Sequence, residues 1–358
     1  MKFLEKILAK ADVKLNGNRP WDITVNNKKA FSRAIFSGIL GIGDSFVNEE
    51  WDCPAVDQLV DKLIRAQLLK YVYRHPAWMF HATSGYLLNS GTRLKANHLA
   101  RRHYDLGNDL FQVMLDQRMV YTCAYWGEGA SNLDQAQEKK LAVLCQKLQL
   151  KPGMRVLDIG GGWGSLAKYA AQRYGVSVVN ITISKEQVKL ANQLCRGLQV
   201  ENRLMDYRDL NEQFDRIVSV EMLEAVGYKN YRQYFQIVHN CLANNGIFVL
   251  QTIGGRYSTT HTNPWIEKYI FPGGMLPSMK QISENSRKLF MIEDIENIGP
   301  YYDKTLMAWW ENFSKNWPQL KGKYGQRFYR TWKLYLQGCA GSFRAGNLED
   351  WQITFRKT

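Results

Sequence analysis

Residues 156–166, VLDIGGGWGSL, constrain the fold of this chain more than any other stretch. Val156, Leu157, Asp158 and Ile159 form a short apolar run suited to a buried parallel strand, and the glycines break it ahead of a helical pattern, SLAKYAAQRYG. A strand, a glycine turn and a helix in that order let the backbone approach a ligand closely. The amides of the turn and the helix N-terminus favour a polar or anionic group. Several nucleotide-binding sheets share such a turn, so the segments after it decide between them.

The next strand, VSVVNITIS, ends in Asn180, Thr182 and Ser184, where a dinucleotide-binding fold usually places an acid for the ribose. A ligand-facing segment, MDYRDL, follows, and then FDRIVSVEMLEAVG reads as another buried strand leading into a loop. This spacing predicts an α/β fold, a class I (Rossmann-like) doubly wound sheet of the S-adenosylmethionine (SAM) methyltransferase kind. A nicotinamide-binding sheet is the alternative.

At 358 residues the chain exceeds one typical domain. The expected division is a smaller N-terminal α+β domain at 1–75 for lipid binding or dimerisation, a linker at 76–97, and a catalytic domain at 98–358. In the first of these, residues 2–10 predict a short amphipathic helix and 21–25 a strand. KAFSRAIFSGILGIGDSFVNEEWDCP predicts a helix that ends in a glycine-rich loop. Between Ala55 and Tyr71, Leu59, Leu63, Ile64, Leu68 and Leu69 fall near helical spacing. That helix either packs within a small domain or presents a face to lipid or a second subunit.

The formal net charge of +14 implies attraction to something anionic, either nucleic acid or a membrane surface. The 11 Trp, 19 Tyr and 15 Phe suit a core, base stacking or a lipid interface equally, and no NPPY-like target-base motif is present, so nucleic acid is not expected as a partner. The six cysteines are widely spaced with no CxxC pair, so neither a metal site nor a disulfide framework is expected. The N-terminal MKFLEKILAKADVKL mixes charges with apolar residues, unlike a signal peptide, and no run reads as long enough to cross a bilayer. The expectation is a cytoplasmic protein, at most peripheral at the inner face of a membrane.

A closer likeness lies in HYDLGNDLF, YTCAYW, LKPGMRVLDIGGGWG, NITISKEQ, DYRDL, FDRIVSVEMLEAVG, YIFPGGMLPS, YDKTLMAWWENF and CAGSFRAGNLEDWQITF. In that order, from about His103 to the C-terminus, they resemble the cyclopropane-fatty-acyl-phospholipid synthase family. The N-terminal part resembles it more loosely. The resemblance implies a SAM-dependent enzyme acting on phospholipids in a bilayer, and a homodimer. It adds a methylene across a cis double bond of an acyl chain, through a carbocation that a bound bicarbonate deprotonates to close the ring. Aromatic rings can stabilise such a cation by about 0.5–2 kcal/mol each. Tyr121, Tyr125, Trp126, Tyr269, Phe271, Tyr302, Trp309 and Trp310 are candidates, with simple packing as their other role.

Carried onto this sequence, the resemblance assigns Tyr121 and Thr122 to the methionine part of SAM and Gly160, Gly162 and Gly164 to the turn beneath it. Thr182 and Gln187 go to the ribose, and Asp206 and Tyr207 to the adenine. Asp158 either joins this site or braces the glycine turn. Cys123, Glu224, Ile253 and Tyr302 are assigned to bicarbonate, Cys123 and Ile253 through main-chain groups. Two departures stand out. The family's EHVG reads EAVG here, with Ala225 for histidine, and HTIG reads QTIG, placing Gln251 where the family has a bicarbonate-binding histidine. Glutamine can donate and accept hydrogen bonds but does not titrate. The alternatives are therefore a lipid methyltransferase giving a methyl-branched or methylene product, or a lipid-binding protein with little catalysis.

Overall fold

The structure, a computed structural model, describes residues 2–68, 107–127 and 129–358. The expected linker at 76–97 lies outside them. The chain forms two compact units, one of 1–88, 260–272 and 302–348, the other of 89–259, 273–301 and 349–358. The first unit thus combines the N-terminal segment with two pieces from late in the sequence.

In the first unit, α1 (Lys2–Ala9), β1 (Thr24–Val25), α2 (Lys29–Val47), β2 (Trp51–Asp52) and α3 (Val56–Arg65) surround a core of Leu8, Val13, Phe46, Trp51, Val56 and Leu59. The apolar side of α3 belongs to this core, with Leu63 packed against it, and Asp57 pairs with Arg344 at 2.6 Å. Of the two roles open to that helix, packing is the one its contacts supply. Arg330 ties the core to the helical segment 302–344, donating to the Phe46 and Trp51 carbonyls while its guanidinium lies 4.3 Å from the Phe46 ring centroid.

The glycines of α2 do not end it. Gly38 kinks the helix, at φ 55°, and Gly43 lies so close to Trp265 that a Cβ would fall 2.2 Å from its ring. By length and composition alone, α2 is long and apolar enough to cross a membrane, which corrects the expectation that no run is. Lys29 and Arg33 at its start and the glycines within it disguise the pattern. It leaves Ile35 64% and Phe36 79% exposed.

The second unit is a seven-stranded sheet. Its strands are β3 (Arg155–Ile159), β4 (Ser177–Thr182), β5 (Val200–Leu204), β6 (Phe214–Val220), β7 (Leu242–Gly255), β8 (Phe290–Asn297) and β9 (Leu348–Lys357), in the order β5-β4-β3-β6-β7-β9-β8. β3 to β7 pair in parallel and β8 with β9 antiparallel. Largely apolar runs such as Val178, Val179 and Ile181, with Asn180 buried among them, form strands buried on both faces, as parallel sheets require. One core layer packs Leu157, Ile181, Phe235, Phe248 and Phe355 together, and the other gathers Leu141, Leu144, Val156, Ala167 and Val249. α4 (Leu133–Lys147) is capped by the Asn132 side chain, α5 (Ser165–Tyr174) begins at Gly164, and α6 (Lys185–Leu194) is capped by Ser184. The strand order reverses between β3 and β6, which opens a crevice at their carboxyl ends, where doubly wound sheets bind ligands.

Candidate active site

The glycine turn leaves β3 at this crevice. Gly160, Gly162 and Gly164 all have positive φ, at 78°, 58° and 78°. A Cβ on Gly161, which the sequence reading did not single out, would stand 2.3 Å from both Asp158 Oδ2 and Asn180 Oδ1. Asp158 therefore lies directly beneath the turn. Among the described residues a Cβ on Gly162 would meet only Gln187 Nε2, at 3.7 Å.

The neighbouring strand ends complete the crevice. Thr182 Oγ1 donates to Gln187 Oε1 at 2.6 Å, and Ser184 Oγ accepts from the Gln187 N–H at 3.3 Å, so the two residues assigned to the ribose are brought together. Asp206 accepts from the Arg208 N–H at 3.0 Å, while Tyr207 is buried with its ring edge-on to Tyr234. The Tyr121 ring meets Phe111 edge-on at 5.1 Å. Thr122 accepts at its carbonyl from Gln137 Nε2 and at Oγ1 from Lys140 Nζ, both at 2.9 Å.

Carboxyl groups converge where β6 and β7 end. Glu224 Oε1 accepts from the Ile253 N–H at 2.5 Å and the Thr252 hydroxyl at 2.9 Å. Part of the Glu224 residue reaches the surface, but Oε2 is buried without a hydrogen-bond partner among the described residues. Burial pushes this carboxyl up to about 8, with the Glu221 charge adding to the rise. Near neutrality Glu224 is therefore chiefly protonated. Glu221 Oε1 accepts from the Cys123 N–H at 2.8 Å and from Gln251 Nε2 at 3.0 Å. Gln251 is fully buried, donates also to Asp350 Oδ2 at 3.1 Å, and accepts from Gln352 Nε2 at 3.1 Å. Burial, and then Glu221 and Glu224, hold Asp350 well above the usual carboxylate range.

A buried lysine stands near one of these acids, Glu221. Lys140 lies on α4, where burial lowers its pKa while Glu221, Asp116 and Asp158 oppose that shift. Glu221, Lys140, Asp350 and Gln352 were not among the sequence candidates. Of the eight candidate rings, Tyr125 bonds Glu296 through its hydroxyl at 2.7 Å. Tyr302 belongs to the first unit, where its ring stacks on Phe343 at 4.6 Å and meets Trp309 edge-on. In the first unit, Trp310 packs with Tyr329, Tyr269 with Trp265, and Phe271 with Tyr335.

A family model described as mycolic acid cyclopropane synthetase matches residues 92–353. The chain belongs to this family. It is 48% identical over 356 residues to the cyclopropane-fatty-acyl-phospholipid synthase of Escherichia coli (strain K12), covering 99% of this chain and 93% of that one. Among solved structures, the cyclopropane synthase MmaA2 from Mycobacterium tuberculosis has 31% identity and a TM-score of 0.69, over 73% of this chain and 98% of that chain. The mycolic acid cyclopropane synthase CmaA1 complexed with SAH and CTAB matches with 32% identity, the same TM-score and the same coverage. The second unit is accordingly a SAM-methyltransferase fold, as its sheet order requires, and the nicotinamide alternative falls.

Proposed function

We propose that this chain is a SAM-dependent enzyme that cyclopropanates cis double bonds in the unsaturated acyl chains of membrane phospholipids. The observation that carries the reading is the pair of unlike carboxyl groups beside the glycine turn. Glu224 is held chiefly neutral by burial, while Glu221 accepts two N–H donors at one carboxyl oxygen. Two carboxyls set apart in this way are suited to taking a proton from a carbocation in a site that excludes water. The identity to a synthase of that name supports the substrate class.

SAM, when bound, supplies a methyl group made electrophilic by its sulfonium. The crevice fits it. Among the described residues a Cβ on Gly162 would meet only Gln187 Nε2, Asp158 and Asn180 keep buried acceptor oxygens without partners, and the acids nearby favour a cationic ligand. Tyr121, Thr122, Gly160, Gly162, Gly164, Thr182, Gln187, Asp206 and Tyr207 would hold it. Bicarbonate fits less well. The Cys123 N–H and the Gln251 amide both bond Glu221, and the Ile253 N–H bonds Glu224, so these three donors already serve carboxylates of the chain. The deciding experiment is mass spectrometry with chain fragmentation on lipids from cells expressing the protein. Cyclopropane chains are expected, and methyl-branched or methylene chains in their place would sink the reading.

The same proposal puts the enzyme at the inner, cytoplasmic face of a membrane as a peripheral homodimer, the dimer resting on the family resemblance alone. Support for the membrane part comes from the charge of +14 and from Phe36, exposed on α2 close in sequence to Lys28, Lys29 and Arg33. Phe36→Ser is expected to weaken vesicle binding about tenfold, through roughly 1.4 kcal/mol of lost apolar burial. Binding should also strengthen with anionic lipid and weaken with salt. Co-sedimentation indifferent to Phe36, salt and lipid charge would refute the membrane part.

A further inference from the structure

We infer that Glu221 is a built-in general base of this enzyme, standing where the family resemblance puts bicarbonate. The inference deepens the cyclopropanation reading and rests on it. Three observations converge on the residue. First, two donors that the resemblance assigns to bicarbonate, the Cys123 N–H and the side chain at 251, both point to Glu221 Oε1, at 2.8 and 3.0 Å. A carboxylate of the protein thus holds the hydrogen bonds that a bound carboxylate-like anion would use, and it needs no recruitment from solution.

Second, Glu221 sits immediately after β6 with φ at 50°, a left-handed conformation that costs a non-glycine residue about 1 kcal/mol or more. Glycine would occupy this position at less cost. The strained turn is held by the Glu221 N–H, which donates to the Gln251 carbonyl at 2.8 Å. Gln251 therefore grips Glu221 by main chain and side chain together. Third, an amide at 251 suits a carboxylate better than an imidazole would. Its single Nε2 donates to both Glu221 and Asp350 while its Oε1 accepts from Gln352, all in full burial. Neutral imidazole has only one donor and cannot serve two carboxyl groups and an acceptor role at once. Gln251 is on this account a positioning residue, and its departure from the family pattern accompanies the carboxylate at 221.

The step balances without another reactant. After methyl transfer, a C–H bond of the added methyl breaks, and its electron pair forms the second carbon–carbon bond to the cationic carbon, closing the ring. The proton goes to an oxygen of Glu221, giving a neutral carboxylic acid that must return the proton to solvent before the next turnover. Glu224, whose carboxyl is held by the Ile253 N–H and the Thr252 hydroxyl and raised by burial and the Glu221 charge, stays a neutral partner.

The test uses the full chain with SAM and vesicles of monounsaturated phosphatidylglycerol, in buffer stripped of bicarbonate and in buffer supplied with it. Release of S-adenosylhomocysteine and the lipid product are measured separately. The wild type is expected to be equally active in both buffers. Glu221→Gln, which keeps an oxygen for the Cys123 N–H, should lose activity about a hundredfold or more with unchanged SAM affinity by calorimetry. Glu221→Gly relieves the backbone and frees both donors. It should be as slow in stripped buffer, recover about tenfold or more with bicarbonate, and bind 13C-bicarbonate by NMR where the wild type does not. A wild type that needs bicarbonate, or a Glu221→Gln protein with near-normal turnover, would overturn the inference. If the wild type instead makes a product without the ring, the cyclopropanation reading falls. For a methylene product, which forms by loss of a proton from the same cation, the amount of product per S-adenosylhomocysteine released by the same variants still decides whether Glu221 takes the proton.

Discussion

Replacing Lys140 by methionine is expected to cost about 3–5 kcal/mol of folding stability at neutral pH, the usual consequence of removing one partner from a buried set of charges. Methionine matches the length of the lysine stem, so the loss is of charge more than of volume. Lys140 is buried on α4, bonds Thr122 Oγ1 at 2.9 Å, and faces Glu221, Asp116 and Asp158. Burial already lifts Asp116 to about 6 and Asp158 to about 7, with Lys140 restraining both. Each of these carboxyls has a folded pKa above its unfolded one. Their contribution to stability is therefore greatest below the unfolded value and is lost as pH rises through the folded value. Without Lys140 the folded values rise further and the loss deepens on the alkaline side. The substitution should thus cost more near pH 8 than near pH 5, as measured by denaturant unfolding at both. An equal cost at the two pH values would show that Lys140 does not compensate these acids.

The position of Lys140 shows how much of the site a sequence can carry. In LDQAQEKKLAVLCQK, the adjacent Lys139 and Lys140 read as solvated charges on an amphipathic helix. The buried residues include Gln137, Lys140, Leu141 and Leu144, which lie on one face, the last three at spacings of three, four and seven from the first. That periodicity was available, but a lysine on an apolar face looks like noise until a carboxylate is known to stand opposite. Glu221 was hidden for a related reason. An acid ending the run VSVEM looks like the first polar residue of a loop, and only the donors from 123 and 251, 98 and 30 residues away, give it a role.

The fold was more legible, because its strongest signals are local. Buried parallel strands appear as continuous apolar runs, and the sequence boundaries of β3, β4 and β6 follow them closely. The cap residue Asn132 announces the helix ahead of the sheet, and the turn glycines and the cap Ser184 announce the helices that cross between strands. Long-range facts were not announced. Nothing in the pattern of 260–272 or 302–348 shows that these segments join the N-terminal one in a compact unit. In α2, glycine served close packing against Trp265 and a kink at Gly38, while the sequence rule reads it as punctuation.

Gly162→Val is expected to abolish SAM binding in a protein that still folds, and the neighbouring glycines show why this position is diagnostic. At Gly161 any side chain would collide with Asp158 and Asn180, and at Gly164 a Cβ would press on Cys195 Sγ at 3.2 Å and Asn202 Oδ1 at 3.3 Å. Substitution at either tests packing as much as binding. At Gly162 a Cβ finds, among the described residues, only Gln187 Nε2 at 3.7 Å, so the described scaffold has room for it. The folding cost comes from φ at 58°, about 1–2 kcal/mol or somewhat more for a β-branched residue, which a unit of this size can absorb. What valine removes is the bare backbone over which the cofactor must lie, and an affinity loss of about a hundredfold or more, some 2.8 kcal/mol, is expected. Thermal unfolding of the variant gives the folding cost alone, and calorimetric titration with SAM gives the binding loss. A folded Gly162→Val protein that bound SAM with wild-type affinity would place the cofactor away from this turn, and the assignments of Thr182, Gln187, Asp206 and Tyr207 would go with it.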